Sequence, residues 1–160
     1  MKAGIMIKIE KHERYSTMVE KFEGMKFVIN LPLDWKLDET SLKSSEWNWP
    51  VKLLEEIQEF IKLGKITAEE GGIFEKEGGE TLSYDTKLTG FILFKPVLQG
   101  SDKDSLQLIP LYKEEISFAR RLGWRRLRNM FKYLTPEELN LISTDRYNII
   151  TDIDGRRNSF

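Results

Sequence analysis

The sequence predicts an α+β fold in which helices pack on a mixed, largely antiparallel sheet. Short β-branched and aromatic runs bounded by proline or glycine predict the strands, and one long stretch with apolar spacings of three and four predicts a helix. The order in which strands, a helix, a strand pair and further helices follow one another is typical of this class. We expect one domain over residues 1–160, because no Pro-rich or Ser-rich linker divides the chain.

The first half of the chain contains two predicted strands and one helix. Residues 1–9 form an apolar stretch interrupted by lysine that predicts a short strand, and residues 25–31 predict a second strand that ends at a proline. Residues 33–45 are predicted to be a loop. An amphipathic helix is then expected, with Pro50 in its first turn and Gly64 as its C-terminal cap. Its apolar positions are Leu53, Leu54, Ile57, Phe60 and Ile61.

The middle of the chain is predicted to be a meander. Residues 66–80 contain glycine pairs that predict turns, with a short strand at 72–74. Strands are expected at 82–84 and 88–96. A further strand at 106–110 is expected to pair with 88–96 in antiparallel fashion, after a polar turn at 100–105.

The last third is predicted to be mainly helical. A long helical region covers 113–133, with Gly123 as a possible break between two helices. Thr135 and Glu138 form a capping-box pattern that begins another short helix. Residues 147–151 are predicted to form a final strand, and 152–160 a polar tail.

Composition excludes several kinds of chemistry. The chain has no cysteine, which rules out disulfides, thiolate nucleophiles and zinc–cysteine sites and suits a reducing, cytoplasmic location. His12 is its single histidine, and it lies in a charged run near the N-terminus. Composition therefore argues against an enzyme. No run of 18 apolar residues is present, and the N-terminal apolar stretch is too short for a secretory signal, so we expect no membrane segment.

No metal or cofactor site is predicted. The most metal-like string, residues 152–155, lacks the further oxygen ligands of a calcium loop and favours a turn. The glycines at 71–79 lack the Gly-Lys-Ser/Thr ending of a phosphate loop and favour a turn as well. Glu114 and Glu115 are adjacent on a helix and point in different directions, so we expect them to be solvated.

The net charge of −1 conceals two oppositely charged segments. Residues 111–134 carry seven basic and two acidic side chains, and residues 55–80 carry eight acidic and three basic ones. Such segments favour internal pairing, or a protein partner with patterned charge, over nucleic acid, which needs an excess of positive charge.

Two groups of residues are candidates for contacting a partner. A continuous basic stripe forms if Gly123 does not break the helix, and a solvated face, an internal match, an acidic partner and nucleic acid all stay open for it. Its members are Arg121, Arg125, Arg128 and Lys132. Trp47 and Trp49 form the second group; burial is the usual role of tryptophan, although a tryptophan at the rim of a cleft can anchor a partner.

Five segments in register resemble the suppressor-of-fused domain, and most closely its bacterial members. The segments are Asn30-Leu31-Pro32-Leu33-Asp34-Trp35, Trp49-Pro50-Val51-Lys52-Leu53-Leu54, Leu108-Ile109-Pro110-Leu111-Tyr112-Lys113-Glu114-Glu115, Gly123 followed by Leu127, and Ile149-Ile150-Thr151-Asp152 with Arg156-Arg157. The resemblance covers residues 25–160, so 1–24 are expected to be a shortened or divergent N-terminal part. The second lobe of the animal protein is not matched.

The resemblance implies a non-enzymatic binding domain. The animal member is a regulator of Hedgehog signalling that sequesters Gli-type transcription factors and holds an extended peptide against sheet edges, and bacterial members are proposed immunity proteins against toxins. We therefore predict a cytoplasmic immunity or regulatory protein that masks a protein partner such as a toxin. The alternative is a nucleic-acid-binding accessory protein that uses residues 120–132. The predicted partner-binding residues are Trp47, Trp49, Arg121, Arg125, Arg128, Lys132, Arg156 and Arg157, with no catalytic residue, metal or cofactor.

Overall fold

A six-stranded mixed sheet forms the centre of the protein in a computed structural model that describes residues 7–96 and 104–152. The strands are β1 (Lys8–Lys11), β2 (Tyr15–Phe22), β3 (Met25–Pro32), β4 (Ile73–Glu75), β5 (Leu88–Phe94) and β6 (Ser105–Tyr112). Their order across the sheet is β1-β2-β3-β6-β5-β4. The β3–β6 pair is parallel and every other pair is antiparallel. The predicted α+β class, with its mixed and largely antiparallel sheet, is confirmed.

A tight hairpin joins β2 and β3. Glu23 and Gly24 both have positive φ, 50° and 83°, as in the two-residue turns whose twist matches that of antiparallel strands. All eight residues of β2 are paired, from Tyr15 opposite Pro32 to Phe22 opposite Met25. Strand β3 was predicted from the sequence, whereas β2 was not.

Helix α1 (Ser45–Lys62) covers one face of the sheet. The hydroxyl of Ser44 caps it by accepting from the N–H of Glu46 at 3.3 Å. The helix begins at Ser45, so Pro50 lies in its second turn and not, as predicted, in its first. In the second turn a proline removes one hydrogen bond of the helix, because it has no N–H to donate. Gly64 comes directly after the C-cap residue Leu63 and has φ 71°, the position and conformation of a capping glycine, as predicted. Leu54 and Ile57 of α1 belong to the same buried cluster as Phe27 and Ile29 of β3.

Three helices follow β6: α2 (Lys113–Leu122), α3 (Trp124–Met130) and α4 (Pro136–Asn140). Gly123, with φ 100°, breaks the long helical region as predicted. The capping box of α4 is also confirmed, because the Thr135 hydroxyl and the Glu138 carboxylate each accept from the other residue's N–H. Apolar side chains of α2 and α3 pack on the face of the sheet opposite α1, where Ile92 and Ile109 point. None of the described helices is long and apolar enough to cross a membrane.

Two predicted strands are wrong. Residues 82–84 form a turn in which the N–H of Leu82 donates to the carbonyl of Leu88 at 2.8 Å. Residues 147–151 also turn, because the side-chain oxygen of Asn148 accepts from the N–H groups of Ile150 and Thr151 at 3.0 and 3.2 Å. Both segments are apolar because they carry core side chains, such as the fully buried Ile149, and not because they pair with a strand.

Candidate functional site

The structure places the described members of the predicted partner-binding set on two opposite faces of the sheet. Trp47 and Trp49 belong to α1 on one face, and the basic residues belong to the helices on the other. Arg156 and Arg157 lie outside the described residues, as does most of the string 152–155. The described candidates therefore form no single site.

The tryptophans form a cluster around a residue that the sequence reasoning did not select. Trp35 meets Trp47 edge to face at 5.1 Å between ring centroids and Trp49 at 5.9 Å, and its indole N–H donates to the Trp47 carbonyl at 3.0 Å. Trp49 is 2% exposed, so it belongs to the core and offers no contact surface to a partner. Trp47 and Trp35 are half-buried, and Trp35 lines a groove beside β1.

The basic residues do not form one helical stripe. Arg121 lies in α2, Arg125 and Arg128 lie in α3, and Lys132 lies in a 3₁₀ turn that follows α3. The break at Gly123 separates them, so the condition for a continuous stripe is not met. All four side chains are exposed.

The acidic segment, residues 55–80, contacts the basic side chains of α2 and α3. Arg120 Nη1 lies 2.6 Å from Glu75 Oε1, and Arg128 Nη1 lies 3.9 Å from Glu70 Oε1. The Trp124 ring packs against the backbone at Gly71, and the guanidinium of Arg125 lies 4.5 Å from its centroid. Internal pairing therefore accounts for part of the charge separation in the sequence.

A buried ion pair joins α2 to the segment after α4. Arg146 donates to both carboxylate oxygens of Glu115, at 2.6 and 2.7 Å, and Glu115 is fully buried. The prediction that Glu115 is solvated is wrong, because this carboxylate also accepts from the N–H of Tyr112 at 2.9 Å and caps the start of the helix. The Tyr112 hydroxyl donates to the Arg146 carbonyl. The sequence signal for this network was a glutamate at the third position of a helix, directly after a strand.

Arg146 lies in the wall of a groove with a volume of about 1240 Å³. Residues 79–89, the start of α2 and residues 144–152 surround the groove. Burial raises the pKa of Tyr112; Arg146 opposes this shift, while the carboxylates of Glu115, Asp145 and Asp152 add to it. The wall of the groove is therefore polar, and hydrogen bonds hold Tyr112 and Arg146 in it.

Among the described residues, possible metal ligands do not cluster and the single histidine is engaged in a hydrogen bond. Those residues contain no group of three or more side chains that could hold a metal ion. His12 Nε2 lies 3.1 Å from the Thr17 hydroxyl, but that hydroxyl donates its proton to Asn30 Oδ1 at 2.7 Å. In this arrangement the Thr17 hydroxyl accepts from His12 Nε2, and its own proton points to Asn30.

The sheet ends in two edge strands, β1 and β4, whose outer sides pair with no other described strand. In antiparallel pairs, residues bonded to the partner strand alternate with residues whose main-chain groups face away from it. The N–H of His12 donates to Tyr15, so the main-chain groups of Ile9 and Lys11 face outward from β1. On β4, hydrogen bonds from Lys76 to Thr89 and from Leu93 to Gly72 leave those of Ile73 and Glu75 facing outward.

Comparison with known proteins places this architecture. The family model described as Suppressor of fused protein (SUFU) matches residues 8–147. The chain belongs to the suppressor of fused family. A comparison with curated proteins finds no significant match.

Two solved structures share the suppressor of fused fold with this chain. The Sufu-Fu complex crystal structure matches with a TM-score of 0.62 at 14% identity and covers 95% of this chain and 79% of that chain. Drosophila Suppressor of Fused matches with a TM-score of 0.64 at 14% identity and covers 97% of this chain and 44% of that chain. This suppressor of fused domain therefore spans less than half the length of the Drosophila chain.

Proposed function

We propose that this suppressor of fused domain is a non-catalytic module that binds a protein partner and masks it by pairing an extended segment of that partner with a sheet edge. The observation that carries the proposal is the pair of open edges, where main-chain groups of Ile9 and Lys11 on β1, and of Ile73 and Glu75 on β4, face outward. One protein of the same fold was crystallised as the Sufu-Fu complex, which supports a binding role.

Each edge has the two components that strand addition requires. Outward N–H and C=O groups supply main-chain hydrogen bonds, and adjacent apolar side chains supply selectivity. Beside β1, Ile9 is 45% and Leu33 58% exposed along a groove of about 600 Å³. Beside β4, a groove of about 310 Å³ is lined by Phe60 and Phe74, whose rings stack at 4.0 Å.

The partner that we propose is a toxin or a regulatory target in the cytoplasm, which the domain neutralises by stoichiometric masking. The resemblance of five sequence segments to bacterial members supports an immunity role. A protein that masks a partner needs a complementary surface and no nucleophilic side chain. This agrees with a composition of no cysteine and one histidine.

Proline substitution tests the edges one at a time. Ile9→Pro and Glu75→Pro each remove an outward N–H while leaving the hydrogen bonds to the neighbouring strand in place. Ile9→Val and Glu75→Gln keep the N–H and serve as matched controls, and thermal unfolding checks that each variant folds. The tagged chain is purified from its native host and after co-expression with the products of adjacent genes.

We expect a partner in a defined ratio that one of the proline variants loses and its matched control retains. A chain that captures nothing under either condition would overturn the proposal. Equal capture by both proline variants would overturn binding through the edges.

A further inference from the structure

Strand β1, with the sequence Lys8-Ile9-Glu10-Lys11, has an open outer side. Its inner side pairs with β2 over the whole length of the strand. The main-chain groups of Ile9 and Lys11 face the other way and pair with no other described strand. A row of unpaired N–H and C=O groups at a sheet edge is a template for pairing with a further strand.

One face of this edge is apolar. Ile9 lies opposite Met18, which is fully buried in the cluster between α1 and the sheet, so Ile9 extends the core face of the sheet to its edge. Ile9 is exposed there, as is Leu33, and both side chains line the groove of about 600 Å³ beside β1. A strand added at this edge would cover them.

The opposite face of β1 carries one charge of each sign. Lys8 and Glu10 are two positions apart, so their side chains share a face, and Lys8 Nζ lies 3.8 Å from Glu10 Oε2. The two side chains are 72% and 43% exposed. Ile9 stands between them on the apolar face. In antiparallel pairing about Ile9, the charge order of this strand is therefore complementary to itself.

We propose that β1 pairs antiparallel with β1 of a second copy of this chain, in a symmetric dimer centred on Ile9. In a twofold dimer, residue i of one copy contacts residue j of the other, and j contacts i. Lys8 of each copy then lies opposite Glu10 of the other, and opposite charges stabilise a strand pair. The two Ile9 side chains meet on the apolar face, and their N–H and C=O groups form the central pair of hydrogen bonds.

Charge disfavours every other centre within the strand. A centre at Lys8 or at Lys11 places two ammonium groups directly opposite each other, and a centre at Glu10 does the same with two carboxylates. Like charges in such positions destabilise a strand pair, which is how charged residues normally protect a sheet edge. The register centred on Ile9 is the one in which the charges of β1 promote pairing.

This dimer goes beyond the proposed function, because it assigns a second copy of the chain to β1 and leaves β4 open for a different partner. Strand β1 is four residues long, so the interface is small. Small interfaces are weak and transient, and we expect a dissociation constant on the order of 10–100 μM.

Sedimentation equilibrium of the full chain from about 1 μM to about 1 mM spans the expected dissociation constant. We expect a dimer that Ile9→Pro abolishes, because proline has no N–H to donate at the centre of the pair. Ile9→Val keeps that N–H, and Glu75→Pro alters the other edge, so both are expected to dimerise as the unaltered chain does. Thermal unfolding checks that each variant folds. A chain that stays monomeric throughout, or equal behaviour of the two proline variants, would overturn the proposal.

Charge reversal tests the register. Lys8→Glu and Glu10→Lys each place like charges opposite each other at two positions per dimer, and each is expected to weaken self-association by about tenfold. They shift the net charge in opposite directions, so a loss in both is not an effect of net charge. The double variant Lys8→Glu, Glu10→Lys restores opposite charges and is expected to regain the affinity of the unaltered chain.

An equimolar mixture of the two single variants gives a second readout. Opposite charges meet again when one variant pairs with the other, so we expect a heterodimer with the affinity of the unaltered chain. Equal self-association of all the charge variants, or no recovery in the double variant and the mixture, would contradict the register. These measurements use the purified chain alone, so their failure leaves capture of a partner untouched, and a chain that captures no partner leaves the dimer untouched.

Discussion

Arg146 and Glu115 form a bidentate ion pair in which the arginine side chain is 4% exposed and the glutamate side chain is fully buried. Glu115 Oε2 accepts from Arg146 Nη1 at 2.7 Å and from the N–H of Ile149 at 3.3 Å. The pair connects the first turn of α2 to the chain segment that follows α4. Buried charges are stable only when paired and hydrogen-bonded in this way.

Breaking this pair is predicted to destabilise the protein strongly. Arg146→Met leaves the Glu115 carboxylate buried without its cation, which costs about 3–5 kcal/mol in other proteins. The free energy of unfolding from urea titration measures the loss. Arg120→Met is the control, because the Arg120–Glu75 pair is partly exposed and is worth at most about 1 kcal/mol. Similar losses in the two variants would contradict a special role for the buried pair.

The sequence predicted the elements whose signals are local. Helix α1 follows from apolar spacing, the α2–α3 break from Gly123 and the start of α4 from its capping box. Strand β2 was missed because half of its residues are polar or charged, although the glycine that closely follows it favours a turn. Residues 147–151 were misassigned because burial through a turn and burial in a strand produce the same apolar composition.

The candidate site was less predictable than the fold, because it depends on contacts between distant residues. Glu115 and Arg146 are 31 positions apart, and although the third helical position marks Glu115 as a capping residue, nothing local pairs it with Arg146. Trp49 was selected for its residue type, but its position on α1 points it into the core. The match between the basic and acidic segments was expected, and the contacts of Arg120 with Glu75 and of Arg128 with Glu70 form part of it.

A buried carboxyl on β2 is predicted to make stability depend on pH. Burial raises the pKa of Glu20 above its ordinary value of 4.5 and the nearby Glu55 raises it further, although a hydrogen bond from Gln58 opposes the shift. The folded state therefore binds this proton more tightly than the unfolded state does. The stabilisation is complete below pH 4.5 and is lost as the pH rises through the higher pKa of the folded state.

Glu20→Gln isolates this effect. We expect the variant to be more stable than the unaltered chain at pH 7, because no carboxylate is then buried, and the advantage to disappear at low pH. Urea titrations at a series of pH values measure the difference. Glu23→Gln is the control, since Glu23 is exposed. The same pH dependence in Glu20→Gln and the unaltered chain would refute the assignment.

The contact between Gly71 and Trp124 is predicted to hold the acidic segment against α3. A Cβ atom at Gly71 would lie 2.4 Å from the Trp124 indole nitrogen, and the residue has φ 95°. Gly71→Ala is therefore expected to cost about 2–4 kcal/mol, from overpacking together with backbone strain. Gly78→Ala is matched in backbone, with φ 69°, but has open space around it. Its expected cost is only about 1 kcal/mol. Equal losses in urea titration would show that strain alone matters.

The exposed basic side chains of α2, of α3 and of the turn after α3 are predicted not to bind nucleic acid at physiological salt. Arg120 and Arg128 already contact Glu75 and Glu70, and the acidic segment adds repulsion for phosphate next to them. Titration with mixed-sequence RNA and DNA at two salt concentrations measures this. The double variant Glu70→Gln and Glu75→Gln removes the opposing carboxylates, and we expect it to bind more tightly than the unaltered chain. Tight, steeply salt-dependent binding by the unaltered chain, lost on replacing Arg121, Arg125 and Lys132 by Gln, would instead establish the nucleic-acid function.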